Sequence, residues 1–393
     1  MIEILDKGKC CGCHGCTNIC PKSCISMETD QEGFWYPKVD KNLCIDCHLC
    51  EKVCPILENP LKEEFIPAAY ACKNKVHKVR ENSSSGGVFS LLCEEVISNG
   101  GVVFGASFDE NFEVRHIYAE TLEDCVQFRG SKYVQSKIGE TYKQARKFLN
   151  DGRLVLFSGT QCQIKGLNLY LRKKYDNLIA VDIICHGVPS PKVFREYRQN
   201  LENSYHSKIN NIWFRRKDEG WKKFSFAVSF ENGKEYVKNL QEDTFMRGFL
   251  SDLYLRPSCY ECTAKNFVNN ADITLADYWG VQHIHPEFDD DRGISLILVN
   301  SKKGQHYLSL IEDKMNIIET DIEYAIKHNP SAIRPVHKNP RRDKFFNMFN
   351  TGAVLNTAIK KCIKPTLMQR VKGKVYRVLS KGKRLVKKIL INQ

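Results

Sequence analysis

The chain has no long hydrophobic run. No apolar stretch approaches the ~18–20 residues of a membrane-spanning helix. The opening, MIEILDKGKCC, lacks the basic start and apolar stretch of a signal peptide. These absences predict a cytoplasmic protein. Acidic residues are missing from residues 351–393, where twelve Lys or Arg stand without one Asp or Glu and supply nearly all of the net charge of +13. The rest is close to neutral, which weighs against a protein built around nucleic acid. Hydrophobic periodicity is scarce in residues 1–60, so that segment needs a scaffold other than an apolar core.

What the chain does have is cysteine, eighteen in all. In a protein read as cytoplasmic, dense cysteine favours metal ligation over disulfides. Cys10, Cys13, Cys16 and Cys20 stand at C-x2-C-x2-C-x3-C-P, and Cys44, Cys47, Cys50 and Cys54 repeat that spacing. This is the run of bacterial two-cluster ferredoxins, whose fourth cysteine ligates the other cluster. It predicts one 4Fe–4S cluster on Cys10, Cys13, Cys16 and Cys54, and a second on Cys44, Cys47, Cys50 and Cys20. Paired structural zinc sites usually need two CxxC pairs and fit less well. Cys11 and Cys24 are left over and read as bystanders. His14 and His48 read as exposed loop residues.

The length of 393 residues allows two or three domains. From about residue 138 the pattern is α/β: the strand RLVLFSG, the helix QIKGLNLYLRKK and the strand LIAVDIIC form a βαβ unit. Cys162 and Cys185 directly follow those two strands, where open α/β sheets place ligands. Cys259 and Cys262 form CYEC. Three readings stand for this set: a third 4Fe–4S cluster, a zinc site, or unconnected residues with a redox dithiol. Cys72, Cys93, Cys125 and Cys362 read as small buried hydrophobes.

Residues 83–87, SSSGG, open a helix. Its free N–H groups suit either a phosphate or an ordinary serine cap. Residues 130–136, GSKYVQS, suit a phosphate and a ring, or a simple turn. In order along the chain, SSSGGVFS, GSKYVQS, GTQCQIKGL, DIICHGVPSP, RPSCYEC and DITLADYWG resemble the coenzyme F-420 hydrogenase/dehydrogenase β-subunit family over residues 68–345. A ferredoxin module is a common N-terminal attachment there.

The resemblance implies a flavin iron–sulfur protein binding FAD. Ser85, Gly86 and Gly87 would then lie near the pyrophosphate, and Ser131, Lys132, Tyr133 and Ser136 would help hold the cofactor. It also supports Cys162, Cys185, Cys259 and Cys262 as cluster ligands. Asp277, in LADYWG, reads as structural, as does His186 beside Cys185; no catalytic acid or base stands out. Similar proteins reduce varied substrates, and ferredoxin-bearing ones occur in bacteria with surface-polysaccharide genes.

The expected fold is an α+β ferredoxin-like N-terminal domain, an α/β flavin iron–sulfur domain and a basic helical tail. The expected divisions are residues 1–60 for the two-cluster module, 68–150 for the flavin-binding part, 151–345 for the part with the third cysteine set, and 346–393 for the tail. Hydrophobic residues spaced among Lys and Arg in 367–391 describe an amphipathic helix suited to an anionic membrane surface, an acidic partner or solvent. The function expected is an oxidoreductase relaying electrons between the clusters and FAD. It would exchange hydride with an organic substrate or deazaflavin-like coenzyme and work with a redox partner protein or ferredoxin. The rival is an electron-transfer subunit with no substrate site of its own.

Overall fold

The computed structural model describes residues 1–60 and 65–364. Residues 1–60 form one unit twice over. In each copy a cysteine run turns into a short helix, Gly15–Ile19 or Leu49–Lys52. The residue before each helix is a left-handed histidine, His14 at φ 61° and His48 at φ 57°. Between the copies, β1 (Ile25–Thr29) and β2 (Trp35–Val39) pair antiparallel. Asp30 holds their turn by accepting from the amides of Glu32 and Phe34 at 3.0 and 2.9 Å. The local core is small: Ile2 and Ile25 with Cys16, Cys24, Cys50 and Cys54.

The later strands are, in chain order, β3 (Ala68–Asn74), β4 (Val102–Phe108), β5 (Val114–Ala119), β6 (Val155–Thr160), β7 (Leu178–Ile183), β8 (Ile209–Arg216), β9 (Ser225–Phe230), β10 (Glu235–Asn239), β11 (Ile273–Asp277), β12 (Ser295–Val299) and β13 (Met315–Thr320). Eight form a mixed sheet in the order β13-β3-β12-β11-β7-β6-β4-β5. Its centre, β11-β7-β6-β4, is parallel, and antiparallel strands flank it. Val155, Leu156 and Phe157 of β6 and Leu178 to Val181 of β7 are buried without alternation, as a sheet covered on both faces requires. The helix Gln161–Leu171 crosses from β6 to β7. A capping box between Thr160 and Gln163 starts it immediately after the strand. The carboxyl ends of β6, β7 and β11 therefore emerge at one edge of the sheet.

Strands β8, β9 and β10 form a separate antiparallel sheet. It packs with the helices Pro191–Tyr205, Thr244–Leu250, Arg342–Asn350 and Leu355–Ile363 in an aromatic core that includes Phe194, Phe214, Phe226, Phe245 and Phe345. Phe34 and Tyr36 of the N-terminal hairpin join this same core. A buried ion pair between Arg342 and Glu32 (2.8 Å through Nη1) fixes the hairpin to the body. The N-terminal unit thus shares a core with the rest of the chain.

The sequence reading put a boundary at 345. Phe346, Phe349, Leu355, Ala358, Ile359 and Cys362 are instead buried in the main core, because these residues form two amphipathic helices that cover it. The amphipathic helix expected over 367–391 lies outside the described residues. β10 and β13 were not anticipated, and the flanking antiparallel strands make the large sheet mixed. No helix among the described residues is long and apolar enough to cross a membrane.

Candidate functional site

The cysteines gather at three places. One cavity is lined by Cys20, Cys24, Cys44, Cys47 and Cys50, so the fourth cysteine of the first run lies with the first three of the second. The C-terminus of the helix Gly15–Ile19 carries Cys20 there, with the backbone turning extended at that residue. Cys47 is exposed, which puts this cavity at the surface. Cys24 is drawn into it as well, its sulfur 3.3 Å from that of Cys20.

Cys54 lies with the first run in the same reciprocal way. Burial first, and then the neighbouring charges of Cys10 and Cys54, push the Cys16 thiol well up. Cys13 is raised as well, with Cys54 and Cys16 among the contributing neighbours. Cys13, Cys16 and Cys54 are buried. His14, expected on the surface, is 3% exposed and packs edge-on to Trp35. Burial and the nearby cations hold its imidazole at about 3, so it is neutral. His48 is exposed as expected, with Nδ1 2.7 Å from Glu51.

The third gathering is the set the sequence suggested least firmly. Cys162, Cys185, Cys259 and Cys262 line one cavity, and Cys11 joins them. Cys162 and Cys185 arrive from the ends of β6 and β7. Cys259 lies within a single-turn helix, Pro257–Glu261, that Cys262 ends. Burial pushes the Cys185 thiol up to about 12, and hydrogen bonding to Cys11 and burial push Cys162 well up. Ligation must release these protons, so metal loading depends on pH. Lys265, Lys165 and Arg256 stand around the cavity. Lys265 donates to the carbonyls of Cys185 (2.5 Å) and Ser331 (2.6 Å), and Lys165 to that of Pro55 (2.5 Å). Buried cations beside thiolates suit an anionic cluster. A single zinc, about 2.3 Å from each sulfur, draws its ligands to about 3.8 Å from one another. Among the described residues no three Cys, His, Asp or Glu side chains close to the spacing of one bound ion.

A groove of about 310 Å³ begins on the far side of this third wall. It shares Thr160, Cys185, His186, Gly187 and Val188 with the cysteine cavity. Ser85, Gly87, Ser131, Lys132, Tyr133 and Ser136 all line it, so two stretches some forty residues apart converge. Ser84 Oγ ties them together, accepting from the amide (2.6 Å) and hydroxyl (2.8 Å) of Ser131. Gly87, at φ 83°, caps the helix Val88–Ser98 that starts here. Gly86 is the exception. A Cβ there would collide with the carbonyl of Cys72 in β3, so its bareness serves the fit against the sheet.

The groove opens into a cleft of about 1020 Å³ through Ser84, Arg129, Ser131, Lys132 and Arg215. Lys132 keeps some contact with solvent, but the enclosure of its ammonium pulls it down to about 7. Lys217, donating to the carbonyls of Arg80 (2.8 Å), Arg292 (2.7 Å) and Ser85 (3.2 Å), is lowered to about 7 by burial and neighbouring cations.

Three groove residues escaped the sequence reading. His116 is 5% exposed. Its Nε2–H donates to the Ser158 carbonyl at 3.0 Å, which leaves Nδ1 to accept from the Ser136 hydroxyl at 2.6 Å. Burial holds it at about 4, so it positions Ser136 as a neutral ring. Arg215 pairs with Asp277, which also accepts from Trp221 Nε1 at 3.0 Å. Two Arg215 nitrogens, Nε and Nη2, are buried without a hydrogen-bond acceptor among the described residues, at the wall of a groove that could supply one. Lys217 is the third. Only the alternation of β5 offered a signal for His116; Arg215 and Lys217 offered none. His186 donates to Asp252 at 2.6 Å and packs edge-on to Phe249, as a structural histidine does.

Residues 152–324 match the family model for the C terminus of the coenzyme F420 hydrogenase/dehydrogenase beta chain. The protein is also similar to one in the xenon-derivatised F420-reducing NiFe hydrogenase complex from Methanosarcina barkeri, with TM-score 0.46 and 18% identity over 78% of this chain and 91% of that one. No curated protein matches.

Proposed function

Because the chain belongs, through residues 152–324, to the coenzyme F420 hydrogenase/dehydrogenase β-subunit family, we propose that it is an iron–sulfur flavoprotein oxidoreductase. In this reading it accepts or delivers electrons through a redox partner at residues 1–60 and exchanges hydride with an organic substrate in the groove. The observation that carries the reading is the shared wall. Cys185, His186, Gly187 and Val188 border both the four-cysteine cavity and the groove. Iron–sulfur clusters would supply one-electron carriage, and FAD the change from one-electron to two-electron chemistry.

The protein's part is binding and placement. The three cysteine sets would hold clusters in a line from the exposed Cys47, past buried Cys16 and Cys54, to Cys185 at the groove wall. Cys11, between Cys13 and Cys162, would close the gap between the inner two sets. Ser84 and Ser131 would fix the phosphate end of the cofactor, with the helix Val88–Ser98 presenting its amides. Arg215 has donors to spare for an acceptor on the ring or sugar.

Anaerobic purification with iron, sulfide and flavin quantified tests this. About twelve irons and one FAD per chain are expected from three four-iron clusters. About eight irons without flavin would sink the proposal. Dithionite-reduced protein reoxidised stoichiometrically by one small organic acceptor supports an enzyme. Reoxidation only by a partner protein supports an electron-transfer subunit.

The depressed Lys132 gives a pH signature. Above pH 7 its ammonium sheds its proton unless an anion restores it. Binding a pyrophosphate then takes up a proton, so FAD affinity falls as pH rises from 7 to 9, by up to about tenfold per unit. Flavin-fluorescence titrations should show this slope, and Lys132→Met should flatten it.

A further inference from the structure

Arg256 is fully buried, at 0% exposure. Its Nε donates to the carbonyl of Cys10 at 2.8 Å, Nη2 to that of Trp35 at 2.8 Å, and Nη1 to Oε1 of Gln135 at 3.0 Å. Nη2 also reaches the sulfur of Cys10 at 3.5 Å. The guanidinium lies over the rings of Tyr36 and Phe34, 4.3 and 5.5 Å from their centroids. The same residue lines the cavity of Cys162, Cys185, Cys259 and Cys262. Gly12, at φ 68°, leaves room for it; a Cβ there would stand 2.9 Å from Nη1.

Every hydrogen-bond acceptor of this cation is neutral, and among the described residues no carboxylate pairs with it. A buried full charge without a counter-charge is strongly unfavourable. The anionic groups available to it are thiolate sets on either side: Cys10 with its run, and the four-cysteine cavity. The second set, with Cys20 and Cys44, shares no lining residue with Arg256.

We propose that Arg256 is a positioning residue that electrostatically couples the first and third cysteine-bound clusters. Its fixed charge raises the reduction potential of both and leaves the second untouched. This rests on the cluster reading above. Each one-electron reduction adds a negative charge, and a neighbouring cation favours the more negative state. Without it, the same electron binds less well at those two positions.

The test is an EPR-monitored redox titration of the anaerobically purified full chain, with iron counted in parallel. In Gln135→Glu the new carboxylate faces Nη1 and offsets the charge while Arg256 stays in place. At least a tenfold loss in the reduction equilibrium is expected for two of the three transitions, which is about 59 mV downward per one-electron couple. The third transition should not move. Arg256→Gln should shift the same two transitions, and Arg256→Lys should shift them less. Unmoved midpoints in Gln135→Glu at full iron content, or an equal shift of all three, overturn the assignment. Wild-type protein without iron would overturn the cluster reading itself, a distinct result. If Arg256→Gln fails to load iron, Gln135→Glu alone decides.

Discussion

Replacing Cys13 and Cys54 together with serine should remove no more iron than replacing either alone, about four of about twelve atoms. Replacing Cys54 together with Cys47 should remove about eight. The contrast follows from the crossed arrangement: Cys54 is a neighbour of Cys13 and Cys16, whereas Cys47 lies in the cavity with Cys20 and Cys44. If each run served its own cluster, the outcomes would be reversed, since Cys54 and Cys47 would then share one. Cys54 is a cleaner probe than Cys20. The sulfur of Cys24 is 3.3 Å from that of Cys20 and can stand in as a ligand, which would mask a Cys20 substitution. Iron and acid-labile sulfide assays on the two double variants, beside the three singles, decide the pairing.

Asp277→Ala should destabilise the body by about 3–5 kcal/mol, the usual cost of stripping the partner from a buried ion pair. The Arg215 side chain is 3% exposed, and that of Asp277 is 16% exposed. Burial works against the charge on Arg215, and Asp277 beside it more than restores that charge. Alanine leaves the guanidinium buried and uncompensated and also strips the acceptor from Trp221 Nε1. Trp221 is fully buried and stacks on Trp279 at 4.8 Å between centroids, so the loss spreads into a second packed layer. Asp277→Asn keeps a neutral acceptor for the indole and should cost less. Urea unfolding followed by tryptophan fluorescence measures both, and an alanine variant within about 1 kcal/mol of wild type would contradict the account.

Asp277 shows how far a motif carries. LADYWG marks the residue as a family position, and a strand end is where it lies. Its partner Arg215 lies on β8, in the other sheet, with no spacing that links the two. An ion pair between distant elements is a product of packing, and local sequence holds no trace of it. The same reason hid His116 and Lys217, each ordinary in its own segment.

The cysteine runs are the opposite case. Ligand spacing is a local property, because a tight loop around a cluster fixes the number of residues between its sulfurs. The sequence therefore specified the repeat, the runs and the placement of Cys162 and Cys185 after two parallel strands. It also specified most elements of the large sheet, since buried strands and amphipathic helices have their own periods.

What only the tertiary structure decided lies in the relations between these pieces. The convergence of Cys162, Cys185, Cys259 and Cys262 needed the crossover helix and the turn at Pro257 together. Cys11 and Cys24, spare by spacing, lie at cysteine cavities because their neighbours in the runs carry them there. Gly86 serves the sheet because strand packing, set by residues about two hundred positions away, leaves no room for a Cβ. Arg256 faces two cysteine sets only because the hairpin of residues 25–39 folds its aromatic rings into the body's core. Spacing along a chain determines which atoms a short loop can present; the packing of distant segments determines which of those loops face one another.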